Sequence, residues 1–176
     1  MEAVWEPLTP GDIEAVMRIA DVIHSTLPEG EHVFAERVKL FPEGCLALVK
    51  DLNGGGRELC GYAISHPIRP RQPPALDAAL GGIPPEATQY YIHDFCVLPE
   101  YRGKGLASQG IRRLLSVAAD TERFPDGACL VSVYGTVPFW GRYGFRPPAS
   151  IDATLADKVH GYGEDALYLE RPAASS

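Results

Sequence analysis

The stretch from Tyr90 to Ala118 constrains this chain more than any other. A run rich in aromatic and β-branched residues, Tyr90–Leu98, ends at Pro99. A basic, glycine-rich segment follows, Arg102-Gly103-Lys104-Gly105, and from Leu106 apolar residues recur at helical spacing as far as Ala118. Glycine lets the backbone turn tightly and approach a ligand closely. The segment therefore reads as strand, turn and helix. The first amides of a helix lack intrahelical acceptors and sit at the positive end of its dipole, an arrangement that suits an anion such as a pyrophosphate. Arg102 and Lys104 add positive charge at the same place. The sequence predicts a phosphate-bearing small molecule held between the strand and the helix after it.

Two common phosphate motifs do not fit. A P-loop requires Gly-x-x-x-x-Gly-Lys-Ser/Thr, and the segment lacks both the upstream glycine and the Ser or Thr. The dinucleotide fingerprint requires Gly-x-Gly-x-x-Gly, and Ser108 stands where its last glycine belongs. What the chain carries is Arg-x-x-Gly-x-Ala, as Arg102-Gly103-Lys104-Gly105-Leu106-Ala107, preceded by Phe95-Cys96-Val97-x-Pro99.

The chain has 176 residues, 45% hydrophobic and 22% charged, which suits one domain, residues 1–176, with a core from about residue 5 to residue 170. Its net charge of −7 argues against a nucleic-acid surface and is compatible with a cationic substrate. Cys45, Cys60, Cys96 and Cys129 are widely spaced, without a Cys-x-x-Cys pair or a histidine at ligand spacing. They are expected to be buried free thiols, and no metal site is expected. Neither a signal peptide nor a membrane-length apolar span is evident. The expectation is a cytoplasmic protein without a membrane partner.

Short strands are expected at Val4–Leu8, Cys45–Lys50, Leu59–Ser65, Tyr90–Leu98, Ala128–Tyr134 and Ala166–Leu169. Thr9 is expected to cap a helix whose core face is Ile13, Val16, Met17, Ala20 and Ile23. A weaker helix fits Val33–Phe41, and others fit Leu106–Ala118 and Val137–Tyr143. Asn53-Gly54-Gly55-Gly56 signals a hairpin. Residues 66–88 are rich in proline and read as one long loop, with a helical turn near Leu76–Leu80. Residues 172–176 read as a frayed tail.

This order, with Arg102–Ala107 and a second segment, Val137-Pro138-Phe139-Trp140-Gly141-Arg142-Tyr143-Gly144-Phe145, resembles the GCN5-related N-acetyltransferase (GNAT) superfamily from about Trp5 to Glu170. The resemblance implies an α/β fold, a mixed and mostly antiparallel sheet with a splayed parallel strand pair, flanked by helices. It implies acetyl-CoA as co-substrate. The backbone of Phe95, Cys96 and Val97 would hold its pantetheine arm, and Arg102, Gly103, Lys104, Gly105, Leu106 and Ala107 its pyrophosphate.

Within the superfamily, Ile92-His93-Asp94-Phe95-Cys96-Val97 is similar to diamine acetyltransferases, which carry Glu where His93 stands. Tyr91-x-His93 resembles the His-x-His strand of arylalkylamine acetyltransferases. Both point to a small primary amine as acceptor. His93 is the candidate base, because imidazole titrates near neutrality; a histidine that only packs in the sheet is the alternative. Asp94 should face the other side and be structural. The superfamily usually has Tyr where Trp140 stands, as the acid that protonates the thiolate. Indole N–H donates but is no acid, so Trp140 is expected to line the thioester end, with Tyr134 or Tyr143 as a substitute acid, Tyr134 first. Glu29, Glu31, Glu36 and the Pro-rich loop are candidate walls of the acceptor pocket. A protein or peptide acetyltransferase and a non-catalytic acyl-CoA-binding module stay open, as does the oligomeric state, a homodimer included.

Overall fold

The structure is a computed structural model and describes residues 2–175. The elements run β1 (Val4–Pro7), α1 (Ile13–Ile23), α2 (Glu31–Leu40), β2 (Cys45–Leu52), β3 (Gly56–Ile68), β4 (Gln89–Val97), α3 (Leu106–Ala118), β5 (Ala128–Ser132), α4 (Val137–Gly141), α5 (Ala153–His160) and β6 (Leu167–Arg171). The strands form a six-stranded sheet in the order β1-β2-β3-β4-β5-β6. The β1–β2, β2–β3 and β5–β6 pairs are antiparallel, whereas β4 and β5 are parallel. This is the mixed α/β sheet with flanking helices that the sequence predicts. The β4–α3–β5 crossover yields the parallel neighbours. Two compact units divide the chain: Met1–Ser65 with Asp94–Val117, and His66–His93 with Ala118–Ser176.

In the first unit, α1 buries Ile13, Val16, Ile19 and Ala20, and α2 buries Val33, Phe34 and Val38. Most of these join Leu8, Cys45, Ala47, Val49, Tyr62, Ile64 and Cys96 in one core. Each large aliphatic side chain so buried contributes about 1.5–3 kcal/mol, enough to fix both helices although α2 has little amphipathic pattern. Thr9 stands at the N-cap of the short 3-10 turn Pro10–Asp12 that leads into α1, with Pro10 in its first turn. Its amide and hydroxyl both donate to one carboxylate oxygen of Asp12, at 2.9 and 3.0 Å. Arg57 donates to the other oxygen at 2.5 Å. The β2–β3 hairpin turns at Gly54 and Gly55, both at positive φ.

In the second unit, Ile68, Tyr91, Cys129, Leu155, Val159 and Tyr168 form the core. Helix α5, which supplies Leu155 and Val159, is not among the predicted elements. Asp152 starts it, accepting from the Leu155 amide at 2.7 Å. Strand β3 runs on through Pro67 to Ile68 because Ile68 is needed in this core, so the loop begins three residues later than expected. That loop has no strand or helix among its described residues; near the expected helical turn the Ala78 amide donates to the Ala75 carbonyl at 3.2 Å. It is fastened by Tyr162 to the Pro74 carbonyl (2.9 Å), by Thr88 to Asp126 (2.6 Å) and by the Arg71 amide to Gln89 (2.8 Å). Residues 172–175 carry no regular structure, and the last residue of the expected tail, Ser176, lies outside the described residues.

All four cysteines are free and buried. No helix among the described residues is long and apolar enough to cross a membrane.

Candidate active site

In the first unit, β4 ends in a turn built from its own backbone. The Tyr101 amide donates to the Leu98 carbonyl at 2.9 Å and the Arg102 amide to the Pro99 carbonyl at 3.2 Å. Arg102 then folds back, its Nε donating to the Val97 carbonyl at 2.9 Å. The guanidinium thus ties the turn to the strand, a role the sequence did not show. Gly103 and Gly105 both adopt φ of 76°, where a Cβ costs roughly 1–2 kcal/mol. No atom lies within 4 Å of where either Cβ would stand, so the glycines face open space. Gly105 accepts from the Gln109 amide at 3.2 Å. The amides of Leu106, Ala107 and Ser108 therefore make up the opening turn, which a helix leaves without internal acceptors. Lys104 Nζ stands 5.5 Å from the Tyr101 ring. Cys96 is buried, and burial pushes its thiol up to about 12, so it offers no thiolate at neutral pH.

In the second unit, the β4–β5 ladder covers Tyr90–Ile92 against Ala128–Leu130 and ends there, while β4 continues to Val97. Alternation along β4 puts Tyr91 and His93 on one face. Their rings lie 5.8 Å apart. His66, from β3, completes the group at 5.5 Å from Tyr91 and 6.1 Å from His93. His66 is fully buried, and its Nδ1 lies 3.1 Å from the Pro67 carbonyl oxygen. A carbonyl only accepts, so Nδ1 carries a proton. Sequence reasoning missed His66 by assigning it to the loop; the signal was that the β3 pattern continues beyond Ser65.

Asp94 points away from His93, as expected. It accepts from the Tyr62 hydroxyl at 2.6 Å and pairs with His24 at 2.9 Å. The crevice beside it, lined by Asp21, His24, Leu27, Glu29 and Asp94 among others, has a volume of about 10 Å³, room for about one water. Of the proposed acidic walls, Glu36 is engaged by Arg37 at 2.9 Å.

The aromatic segment departs from expectation in detail. Strand β5 stops at Ser132, so Tyr134 is not at a strand end. It sits in a tight turn at φ 57°, 52% exposed. That turn is closed by Thr136, whose hydroxyl donates to the Val133 carbonyl at 2.7 Å. Trp140 is buried among Phe139, Tyr143 and Phe145, with ring centroids 5.1, 6.5 and 5.7 Å away. Among the described residues no group of three or more His, Cys, Asp or Glu side chains could hold a metal.

The sequence model described as "Acetyltransferase (GNAT) family" matches residues 13–145. Among curated proteins, none matches. Among solved structures, the chain is similar to the NatC complex bound to Gag peptide and CoA, at 18% identity over 99% of this chain and 100% of that one, TM-score 0.69. It is similar to Ard1 from Thermoplasma volcanium, at 18% identity over 99% and 100%, TM-score 0.67. It is also similar to Arabidopsis thaliana NAA60 in complex with acetyl-CoA, at 21% identity over 83% and 87%, TM-score 0.61. At these identities the likeness is one of fold.

Proposed function

Since the chain belongs to the acetyltransferase (GNAT) family and is an acyltransferase, we propose that it transfers an acetyl group from acetyl-CoA to the primary amine of a small molecule. The observation that carries this reading is the Arg102–Ala107 turn. Two glycines at positive φ leave its surface open, and the first amides of α3 follow directly. The amides from Gly103 to Ala107 hold the pyrophosphate, the Arg102 amide being engaged by the Pro99 carbonyl, with Lys104 adding charge. The backbone of Phe95, Cys96 and Val97 holds the pantetheine arm, and Trp140 shapes the thioester end.

An alkylamine with a pKa near 10.4 is only about one part in a thousand free base at neutral pH, so a group must take its proton. His93 is that base. The buried His66 and Tyr91 rings pack beside it. Tyr134, 52% exposed in its turn, is the candidate donor to the departing thiolate. The whole chain acts as one catalytic domain. Diamines and arylalkylamines are the preferred acceptor classes, from the Ile92–Val97 and Tyr91-x-His93 resemblances.

A peptide amine is the second reading. It is favoured by the likeness to the NatC complex, described as bound to Gag peptide and CoA. Release of CoA thiol from acetyl-CoA, measured with diamines, arylalkylamines and peptides bearing a free α-amine, tests both. Turnover of the small amines is expected. Turnover of peptides alone would replace this reading with the second. Acetyl-CoA binding without turnover of any amine would leave a non-catalytic acyl-CoA-binding module.

A further inference from the structure

We propose that Trp5, on β1, is a positioning residue for acetyl-CoA, setting the pyrophosphate-binding amides through the first turn of α3. The indole Nε1 donates to the Leu106 carbonyl at 2.7 Å, a buried bond between residues 101 positions apart. Leu106 is the first residue of α3 and directly follows Gly105. A carbonyl in this position is already expected to accept from the amide four residues on, so the indole is an added tether at the helix start.

Gly110 shows that the helix is shaped to receive this ring. A Cβ at Gly110 would stand 2.6 Å from Cε2 and Cζ2 of Trp5 and 3.0 Å from Nε1. Alanine inside a helix is favoured over glycine by about 1 kcal/mol; here the missing Cβ is what admits the indole. One turn further, Arg113 Nη1 donates to the Trp5 carbonyl at 2.5 Å. On its other side the indole lies 5.5 Å from the Phe95 ring on β4. Trp5 thus touches α3 near Leu106, Gly110 and Arg113, and touches the strand that leads into the turn. Arg102 fixes the turn to the end of β4, and Trp5 fixes where the helix begins. The amides between these two anchors have their direction set by both. Binding groups displaced by about 1 Å lose much of their effect.

The inference rests on the acetyl-CoA reading above, and calorimetry with acetyl-CoA separates the two. Trp5→Phe removes the indole N–H and shortens the ring. Gly110→Ala pushes a methyl into the indole. Each is expected to weaken acetyl-CoA binding about tenfold, because amides moved off the pyrophosphate lose part of their hold on it, and to raise the KM for acetyl-CoA but not for the amine. The double variant is expected to bind more tightly than Gly110→Ala alone, because the shorter ring makes room for the methyl. Amide exchange at Leu106–Gln109 is expected to quicken in Trp5→Phe. Wild-type affinity and exchange in Trp5→Phe, with only thermal stability lowered, would show a core tryptophan and overturn the proposal. Absence of acetyl-CoA binding by the wild-type chain would overturn the cofactor reading and this inference with it.

Discussion

His24 and Asp94 are joined by a 2.9 Å contact between Nε2 and Oδ1, with both side chains largely buried. His24 lies just past the end of α1, so the contact fastens the start of the α1–α2 connection to β4. Burial works against a charged His24, but the hydrogen bond and negative charge of Asp94, with Glu29, raise its pKa above the ordinary 6.5. A histidine raised in the folded state gives stability that is fully present below the unfolded pKa and is lost as pH climbs through the folded one. Asp94→Asn should therefore lower the His24 pKa and cost more stability at pH 6 than at pH 9. Urea denaturation at the two pH values checks this. An equal loss at both would show that the pair is not ionic.

The turn after β4 offers a sharper test. Gly105 has φ of 76° and open space around its missing Cβ. A side chain there costs about 1–2 kcal/mol of backbone strain and needs no rearrangement of the core. Gly105→Glu should thus fold, while placing a carboxylate where the pyrophosphate is proposed to rest. Acetyl-CoA affinity is expected to fall about a hundredfold or more, two factors of ten for about 2.7 kcal/mol. Gly105→Ala, with the strain but not the charge, should fall less. Calorimetry returning the wild-type affinity for Gly105→Glu would move the cofactor elsewhere.

The strand–turn–helix around Arg102 was legible because local chemistry alone dictates it: glycines at positive φ, a proline after the strand and an apolar stripe at period 3.6. The core face of α1 was legible for the same reason. Helix α5 was not, because it shows the core only Leu155 and Val159, four residues apart, and its clearest signal is the Asp152 cap. The continuation of β3 through Pro67 was hidden by a proline that sequence rules assign to a loop. It carried His66 out of view, although His66 stacks beside the predicted base. Tyr134 was placed on a strand from its β-branched neighbours, whereas the Ser132–Thr136 and Thr136–Val133 hydrogen bonds turn the chain before it. The role of Trp5 was illegible in principle, since its partner lies 101 positions away.

Tyr134 is held at a positive φ for a residue with a Cβ, in a turn that the Thr136 hydroxyl closes onto the Val133 carbonyl. If Tyr134 protonates the thiolate, Tyr134→Phe is expected to lower kcat about tenfold or more with acetyl-CoA affinity unchanged. Single-turnover rates, which isolate the chemical step, decide the matter. An unchanged single-turnover rate would leave Tyr143, solvent or no acid at all.

The role of His93 is separable from packing by pH. A general base typically contributes about a hundredfold or more, and its loss matters least where the amine is already deprotonated. His93→Ala is expected to cut kcat/KM for the amine about a hundredfold near pH 7, and to regain much of it near pH 10, while binding acetyl-CoA normally. His66→Asn provides the companion measurement. Asn can still donate to the Pro67 carbonyl, as Nδ1 of His66 does across 3.1 Å, but it removes the ring that packs edge-on against Tyr91 and tilted against His93. It should lower kcat/KM less than His93→Ala, because the surroundings of the base change while the base remains. A His93→Ala profile superimposable on wild type across the whole range would mean that His93 only packs in the sheet, and that the amine loses its proton to solvent.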